Sequence, residues 1–560
     1  MKLRLIGIAF SLFLSGNFYC LGQSPDIPLS REYYHLIDRY EILSGKLPDD
    51  FHTSVKPYRR EQVAAFFDRL DTVLTGLSKT DRFNIDHVLT DNYDYSKSST
   101  GLSGKPFIKY FYLYKNDFFS VNDKDFQFHL NPVIYFSGGL DKNQKVTNYV
   151  NTRGLEASGL IGKKIGFYTF LSTTQAAYPF YVRSWIDRYL AVPYEGFWKV
   201  YQKDGIDYYT ASGYVTFNII KPIQVELGHG KPFIGDGIRS MILSDFSNNY
   251  LYLRLNTKVW KFNYVNIFAQ HYADAFASAG TGSLGGTYPR KFMALHHLSY
   301  DVTRNFNLAI FETEVIGDST QSFEIGYLNP VIFYRWLEQQ SGSHDNAMLG
   351  ADLKYNFLKH FSLYGQFLLD EFVLHEVLAG KGWWGNKYGA QGGIKYFNVA
   401  GINNLDVQVE FNIARPYTYT HKDIFTNFAN YRLPLAHPEG ANFREWMVNV
   451  RYQPWPRITL NLEGIHSGYG EDDATSNWGK NIMMSYNTRQ RDYGNFVGQG
   501  YYTHLNYLNI AVSYQYKFNV FIDLELTLHD VSSAYNPLNL NSTWAGINFR
   551  WNISRKTFDF

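Results

Sequence analysis

The sequence predicts an all-β fold: a closed antiparallel transmembrane β-barrel of about 18 strands, preceded by a small N-terminal α-helical domain. Three observations predict it. Segments with alternating apolar and polar residues follow one another from about residue 125, and the links between them are alternately short and long. Aromatic residues make up 18% of the chain, including 46 Tyr and 44 Phe. Transmembrane barrels need such residues for the girdles at both membrane interfaces.

Residues 1–22 have the pattern of an export signal. A basic start precedes an apolar run, Leu5–Leu14, which is too short to span a bilayer as a helix. We expect cleavage after Gly22. A lipoprotein signal would need a small residue before Cys20, where Tyr19 stands, so lipidation is the less favoured alternative.

Composition excludes several classes of protein. Cys20 is the single cysteine, so the mature chain is expected to have no disulfide, thiolate metal site or cysteine nucleophile. The net charge of +2 argues against nucleic acid as a partner, because nucleic-acid binding favours a strongly basic face. The mean hydropathy of −0.29 argues against a helical membrane protein.

Residues 23–104 are predicted to form a periplasmic helical domain and a polar linker. Ser30 can cap a helix that ends at Gly45, and a second helix is expected from Pro57 to about Leu74. A third helix begins at Ser78, which has an acidic residue three positions later, as in a capping box. We favour a plug or cap below the barrel over the alternative, a unit that binds cell-wall polymers such as peptidoglycan.

Residues 105–560 are assigned to the barrel, because the sequence has a period of two from about residue 125 onward. The clearest strand alternates Leu405, Val407, Val409, Phe411 and Ile413 with Asp406, Gln408, Glu410 and Asn412. Segments of about ten residues can cross a bilayer as tilted strands. Their charged faces must avoid lipid, so we expect these faces to point into the lumen.

The lengths of the links predict the topology. Strands are expected near 126–139, 148–160, 165–175, 207–220, 223–230, 248–258, 261–271, 290–302, 306–316, 347–357, 361–371, 388–399, 404–413, 443–454, 457–467, 505–517, 520–531 and 541–553. Long loops near 176–206, 317–346, 414–442 and 468–504 alternate with short turns. Bacterial barrels have short periplasmic turns and long external loops, so both termini are expected to be periplasmic. The predicted location is the outer membrane of a Gram-negative cell, in contact with its lipid.

The last predicted strand is followed by an aromatic residue. An alternating strand near 541–553 precedes Phe560. This arrangement resembles the signal that the barrel-insertion machinery recognises.

A set of short motifs resembles the Wzi-like capsule-assembly family in its Bacteroidetes form, which overlaps with a family of gliding-motility outer-membrane proteins. The motifs are Lys56–Glu61, Gly228–Lys231, His296–His297, Phe311–Glu314, Leu328–Val331, Tyr364–Gln366 with Asp370–Glu371, and Ala436–Asn442. The resemblance covers most of the chain. It implies an eighteen-stranded barrel with a periplasmic helical bundle, and a lectin-like role in anchoring capsular polysaccharide.

Tryptophans in the predicted external loops are candidates for carbohydrate binding, because aromatic faces stack on pyranose rings. They are Trp185, Trp198, Trp383, Trp384 and Trp478. The alternative is that they belong to the interfacial girdle or pack within the loops. The pair Trp383–Trp384, which is flanked by glycines, is the first choice for a test.

A charge network is expected in the lumen. Its predicted members are Glu312, Glu314, Asp370, Glu371, Glu410, Arg451 and Arg550. An acid pair among them could serve glycoside hydrolysis. A network that fills the pore and links strands is the preferred interpretation.

The sequence gives little support for metal or cofactor chemistry. His296 and His297 are adjacent in a predicted strand, so they should point to opposite faces and cannot chelate one ion together. Gly228–Lys231 lacks the spacing of a phosphate-binding loop. We therefore expect no metal, no cofactor and no enzymatic activity.

The sequence is compatible with three functions. The first is a non-enzymatic surface protein that anchors or assembles extracellular polysaccharide. The second is a component of gliding motility or adhesion that docks to other envelope proteins. The third is a diffusion channel.

Overall fold

The computed structural model describes residues 24–560 apart from 105, 109, 144–146, 274–287, 318–324, 332, 335–344 and 474. The predicted export signal lies outside the described residues.

Eighteen antiparallel strands form a closed barrel, as the sequence predicts. In chain order, β1 to β18 are Phe126–Asp141, Thr147–Ile161, Ile165–Ala177, Gly205–Ile220, Ile223–Gly230, Tyr250–Val259, Phe262–Tyr272, Arg290–Asp301, Phe306–Ile316, Asn346–Phe357, Phe361–Glu371, Lys387–Phe397, Leu405–Ala414, Phe443–Trp455, Ile458–Glu471, Tyr501–Lys517, Val520–Ser533 and Leu540–Trp551. Each strand pairs with the next, and β18 closes on β1 through pairs such as Trp544 with Asp141. The predicted strands overlap the observed ones, with ends that agree to within four residues.

The alternation seen in the sequence separates the two faces of the wall. In β17, Asp523 and Thr527 are buried in the lumen, whereas Leu524 on the other face is 57% exposed. The outer face is thus apolar along much of its height, as lipid contact requires.

Short strands and turns of 3₁₀ helix supplement the barrel. Phe119–Asn122 pairs with β1 and Lys199–Tyr201 pairs with β4, while Val55–Lys56 pairs with Phe233–Ile234 and Ala429–Asn430 with Leu433–Pro434. The 3₁₀ turns are Ile325–Leu328, Val399–Gly401, Ile424–Thr426, Tyr486–Thr488 and Asn536–Leu538.

The described residues form six α-helices outside the barrel wall. They are α1 (Arg31–Ser44), α2 (Arg60–Phe67), α3 (Leu70–Val73), α4 (Lys79–Asp91), α5 (Phe180–Tyr189) and α6 (Leu374–Ala379). The predicted limits of α1 are confirmed: the Ser30 side chain accepts from the N–H of Tyr33, and Gly45 ends the helix at φ 74°. The predicted capping box at Ser78 is also present at the start of α4.

The second helix differs from the prediction. Pro57 does not open it; α2 begins at Arg60, and a break after Phe67 separates it from α3. The reason is a competing pairing with the segment before α1. The Ile27 N–H donates to the Tyr58 carbonyl at 2.8 Å, which keeps the chain before α2 extended.

Residues 24–95, which we call the plug, have a small apolar core of their own. Ile37, Tyr40, Val63 and Val88 lie at its centre and are fully buried. Three contacts place the plug at the end of the barrel that carries the short turns. They are Leu47 N–H to Arg304 O at 2.7 Å, Lys258 Nζ to Asp49 O at 2.6 Å and Asn84 Nδ2 to Gln453 Oε1 at 2.9 Å.

None of the helices in the described part of the chain is both long enough and apolar enough to cross a membrane.

Candidate functional site

The plug is bonded to the lumen wall through buried charges. Arg39 of α1 donates to Asp406 at the start of β13 and to Asp81 of α4. Burial opposes ionisation of Asp38, but the ammonium groups of Lys395 and Lys354 hold the pKa of its carboxyl below the ordinary value. Wall and plug are therefore joined by mutually neutralised charges.

The loop 231–249, which we call the inward loop, folds from the external rim into the lumen. The Glu410 carboxylate accepts from the N–H groups of Ile238 at 2.7 Å and Arg239 at 3.0 Å. Lys231 Nζ donates to the carbonyls of Tyr194, Asp245 and Ser247 at 2.7 to 3.2 Å. Lys231 belongs to the glycine-rich motif seen in the sequence, so this motif anchors a loop.

Residues 552–560, the tail, leave β18 at the short-turn end and run through the lumen toward the external side. The Asp559 carboxylate meets Arg31 of the plug at 2.7 Å and Arg239 of the inward loop at 3.2 Å. Burial opposes its ionisation, but these two guanidinium groups hold the pKa of Asp559 well below its usual range. One carboxylate thus ties together plug, inward loop and tail.

Phe560 lies in the tail, nine residues after the end of β18. It lies inside the barrel, 5.2 Å from the ring of Trp185 between centroids, and its carbonyl oxygen is 3.0 Å from His529 Nε2. Trp551 is the residue at which β18 itself ends.

The predicted lumen network is present in part. Asp370 is buried and meets Lys387 at 2.9 Å, Glu410 holds the inward loop, and Arg550 joins Asp523 of the wall at 2.8 Å to Glu32 of the plug at 2.7 Å. Arg451 lines a cavity of about 280 Å³ between plug, inward loop and tail. Glu371 lies at the external rim, 3.2 Å from Lys387.

Glu312 and Glu314 are not in the lumen, which corrects the sequence prediction. In β9 the residues at odd positions, such as Phe311 and Val315, are in the lumen core, so the even positions face outward. Leu308 and Ile310, 41% and 50% exposed, share the outer face with the two glutamates. The two acids therefore cannot act together with the other members of the lumen network.

A segment of an external loop covers this polar part of the outer wall. Residues 325–331 and 333–334 lie against it. The Tyr334 N–H donates to Glu312 Oε2 at 2.9 Å, and the Tyr264 hydroxyl donates to the Pro330 carbonyl at 2.6 Å. Val331 and Phe333, 83% and 69% exposed, point away from the wall. The covering segment thus replaces a polar outer surface by an apolar one.

His296 and His297 point to opposite faces, as predicted. The ring of His297 lies in the lumen with Nε2 2.7 Å from Asp352, whereas the His296 ring packs under Tyr334 with 4.0 Å between centroids. Among the described residues, no group of three or more His, Cys, Asp or Glu side chains is placed to hold a metal ion.

On the external side, the loops 372–386 and 472–500 are joined into what we call the loop cluster. Backbone hydrogen bonds link them: Trp384 N–H to Asp492 O at 2.9 Å, Gly494 N–H to Lys381 O at 2.8 Å and Asn495 N–H to Gly382 O at 2.9 Å. A Cβ on Gly382 would lie 2.7 Å from the Asn495 carbonyl, so only glycine allows this approach.

The loop cluster holds the predicted tryptophan pair in a partly exposed position. The Trp384 ring lies 5.8 Å from that of Trp383 and 4.7 Å from that of Tyr486, between centroids. The Arg489 guanidinium stands 4.2 Å from the Trp384 centroid and bonds to the exposed carboxylate of Asp492 at 2.7 Å. Indole, guanidinium and carboxylate therefore occur side by side.

Trp478 belongs to the same cluster. The Arg491 guanidinium lies between its ring, at 5.5 Å, and that of Phe496, at 5.6 Å. The neighbouring Asp472 accepts backbone hydrogen bonds from Lys480 and Asn481, and burial raises its pKa to about 6. Asp472 thus shapes the turn that presents Trp478.

Trp185 and Trp198 are in a different environment. The Trp185 ring of α5 packs against Tyr189, Phe246 and Phe560 at 4.5 to 6.0 Å between centroids. Trp198 is partly buried against the same apolar cluster, with the Arg183 guanidinium 5.6 Å from its ring. The structure does not bring these two tryptophans together with the loop cluster.

The loop cluster has the chemistry of a sugar-binding surface: aromatic faces for ring stacking and charged groups for hydroxyls. Sequence reasoning missed Tyr486, Arg489 and Asp492. They are scattered in a long polar loop with no period, and only their contact with Trp384 shows their importance.

No protein-family model matches the sequence, and no functionally curated protein matches it. Similar folds occur among solved structures. Wzi of Escherichia coli, an outer-membrane protein involved in group 1 capsule assembly and a carbohydrate-binding β-barrel, is 12% identical with a TM-score of 0.56, over 95% of this chain and 100% of that one. OprD of Pseudomonas aeruginosa also matches, at 9% identity and a TM-score of 0.41, over 76% of this chain and 94% of that one. OpdK of Pseudomonas aeruginosa with vanillate matches at 10% identity and a TM-score of 0.42, over 75% of this chain and 97% of that one. The likeness to Wzi shows a shared β-barrel fold.

Proposed function

We propose that this chain is a non-enzymatic outer-membrane protein that anchors or assembles capsular polysaccharide at the cell surface. The observation that carries the proposal is the loop cluster, in which the partly exposed Trp383–Trp384 pair stands beside Arg489 and Asp492. Aromatic rings offer large rigid contact area, and charged groups bind hydroxyls by strong hydrogen bonds.

The filled lumen supports surface binding over diffusion. Plug, inward loop and tail meet at Asp559, which contacts both Arg31 and Arg239 inside the barrel. A solute would have to displace buried ion pairs to pass. Breaking such pairs is costly, because it leaves uncompensated charges.

The shared fold agrees with this function. The Escherichia coli protein Wzi binds carbohydrate and takes part in group 1 capsule assembly. We infer that this chain is a distant member of the Wzi-like family in its Bacteroidetes form. The loops of this chain would determine which glycan it binds, so we do not transfer the glycan specificity of Wzi to it.

The test is polysaccharide binding by the detergent-purified protein, using capsular material from the encapsulated parent strain. Trp383→Ala and Trp384→Ala should each weaken binding about tenfold, the loss of one aromatic platform. Trp260→Ala is the matched control, since Trp260 is 71% exposed at a short turn on the opposite end of the barrel.

A gene deletion supplies the second arm. Cells without the protein should release capsule into the medium, and the wild-type gene should restore retention whereas the Trp383→Ala/Trp384→Ala gene should not. Unchanged capsule retention in the deletion strain, together with no polysaccharide binding by the purified protein, would refute the proposal.

A further inference from the structure

We propose that the outer wall formed by β14 to β18 carries a binding site for an anionic lipid with a phosphate headgroup. The site is a groove of about 580 Å³ on the face of these strands that points away from the lumen. It is separate from the loop cluster and independent of the function proposed above.

The floor of the groove is Gly464. A Cβ built on this residue meets nothing within 4 Å, so the glycine leaves an open notch in the wall. Trp446, 53% exposed, borders the notch on one side, and Leu508 and Leu528 border it on the other. The notch thus has an apolar lining, as contact with an acyl chain requires.

Strand register shows that the groove crosses a change of polarity. The residues paired across the external part of the wall are Trp446, His466, Asn506, Asp530 and Asn541. Four positions along the strands toward the short turns, the paired residues are Val450, Leu462, Ile510, Leu526 and Ala545. An apolar row below a polar row marks the level where hydrocarbon meets headgroups, and Trp446 lies at that level, as girdle aromatics do.

Cationic and hydrogen-bonding groups collect at the external end of the groove. Arg444 Nη2 donates to the Tyr502 hydroxyl at 3.1 Å, and the Tyr502 ring packs against His504 with 4.6 Å between centroids. The His466 ring is 5.9 Å from that of His504, and its Nδ1 is 2.8 Å from Asn506 Oδ1. Tyr502 therefore holds an exposed arginine next to two imidazoles.

This set fits a phosphate. A guanidinium forms paired hydrogen bonds with phosphate oxygens, and an imidazole N–H adds a further donor. Asp530 also lines the groove, but its Oδ1 accepts from Asn541 Nδ2 at 3.0 Å, on the far side of β16 from Arg444. The phosphate belongs to a lipid because the groove continues directly into the apolar wall below.

Native mass spectrometry of the detergent-purified full chain tests the site, with dioleoyl phosphatidylglycerol and dioleoyl phosphatidylcholine as the two probes. The wild type should retain the anionic lipid more strongly. Arg444→Ala combined with His504→Ala should reduce that preference about tenfold, the loss of a charge-assisted contact. Gly464→Leu fills the notch and should lower retention of both lipids.

Two variants serve as controls. Arg153→Ala removes another exposed arginine from the outer face, and Gly392→Leu adds a side chain at another outward glycine with free space. Both should keep wild-type retention. No preference of the wild type for phosphatidylglycerol, or an equal loss in Arg153→Ala, would overturn the proposal. The new side chain in Gly464→Leu enters open space, so the variant should fold and show the normal heat-dependent mobility on a gel. Any loss of lipid retention in this variant is then due to the filled notch.

Discussion

Lys354 of β10 and Glu41 of α1 form a buried ion pair with 2.8 Å between Nζ and Oε2. Asp236 of the inward loop approaches the same ammonium group at 2.9 Å, and Asn356 Nδ2 donates to the other oxygen of Glu41 at 2.8 Å. One lysine therefore joins the wall, the plug and the inward loop.

Replacing this lysine should loosen the plug. Lys354→Met leaves the carboxylates of Glu41 and Asp236 without their cation, and breaking a buried pair in this way costs roughly 3–5 kcal/mol. Hydrogen exchange of the α1 amides should accelerate accordingly. The double variant Lys354→Met/Glu41→Gln should recover part of the loss, and unchanged α1 exchange in Lys354→Met would contradict the role of the pair.

Docking of the plug should depend on pH through Glu41. Burial raises the pKa of Glu41 to about 7, although Lys354 opposes the shift. A carboxyl whose pKa is raised on docking stabilises the docked state below its ordinary pKa, and this contribution is lost as pH rises through about 7. Relative to wild type, Glu41→Gln should therefore gain up to about 3 kcal/mol of plug stability between pH 4.5 and pH 8.

The measurement is α1 hydrogen exchange, corrected for the intrinsic pH dependence of amide exchange. Asp49→Asn is the control, because Asp49 also belongs to the plug but its side chain is 81% exposed. A constant difference between Glu41→Gln and wild type across this range would show that Glu41 does not titrate on docking.

The intact protein should not conduct as an open pore. In planar bilayers we expect no steady current from the wild type, since plug, inward loop and tail occupy the lumen. The combined variant Arg39→Met/Lys354→Met removes the two cations whose ion pairs join the plug to the wall, and Arg39 also pairs with Asp81 within the plug. This variant should therefore show transient openings. Steady, ion-selective conductance of the wild type would favour a diffusion channel instead.

The segment that covers the outer wall should face lipid. Phe333→Arg places a charge there, and a cation on the lipid-facing side of a barrel costs about 2 kcal/mol at intermediate depth. Denaturant unfolding from lipid vesicles should show this loss. Phe496→Arg, at a 59% exposed site in the loop cluster, should have little effect. Equal effects of both changes would mean that Phe333 faces water.

Trp185 should behave as a packing residue. Trp185→Ala removes contacts to Phe246 and Phe560, and because the ring is only partly buried we expect a loss of about 2 kcal/mol, below the usual cost of a core tryptophan. Thermal unfolding should reveal the loss, while polysaccharide binding by the folded fraction stays unchanged. Weakened binding without a change in stability would assign Trp185 to the binding surface.

The barrel could be predicted closely because a period of two is local information. In β13, for example, Asp406 and Glu410 face the lumen, whereas Val407 and Val409 point to the opposite side of the wall. Alternation alone does not show which face of a strand points into the lumen. In β9 the charged Glu312 and Glu314 face outward, where the loop that follows this strand covers the wall and bonds to Glu312.

The candidate site could likewise be predicted only in part from the sequence. Two adjacent tryptophans between glycines mark an exposed loop, so Trp383 and Trp384 could be selected. Their partners Tyr486 and Arg489 lie about a hundred residues later, and no local pattern connects them. The filling of the lumen by the tail depends on contacts of the same long-range kind, such as Asp559 with Arg31.

The plug has one more consequence, which concerns the order of assembly. Its α1 helix is synthesised before the barrel wall, and its partners Lys354, Asp406 and Arg550 lie 313 to 518 residues downstream. Contacts of such sequence separation form late, since a long loop must close first. The helix must therefore wait, undocked, until nearly the whole wall exists. Docking of the plug then follows completion of the wall, and the lumen of a partly built barrel stays unplugged until that step.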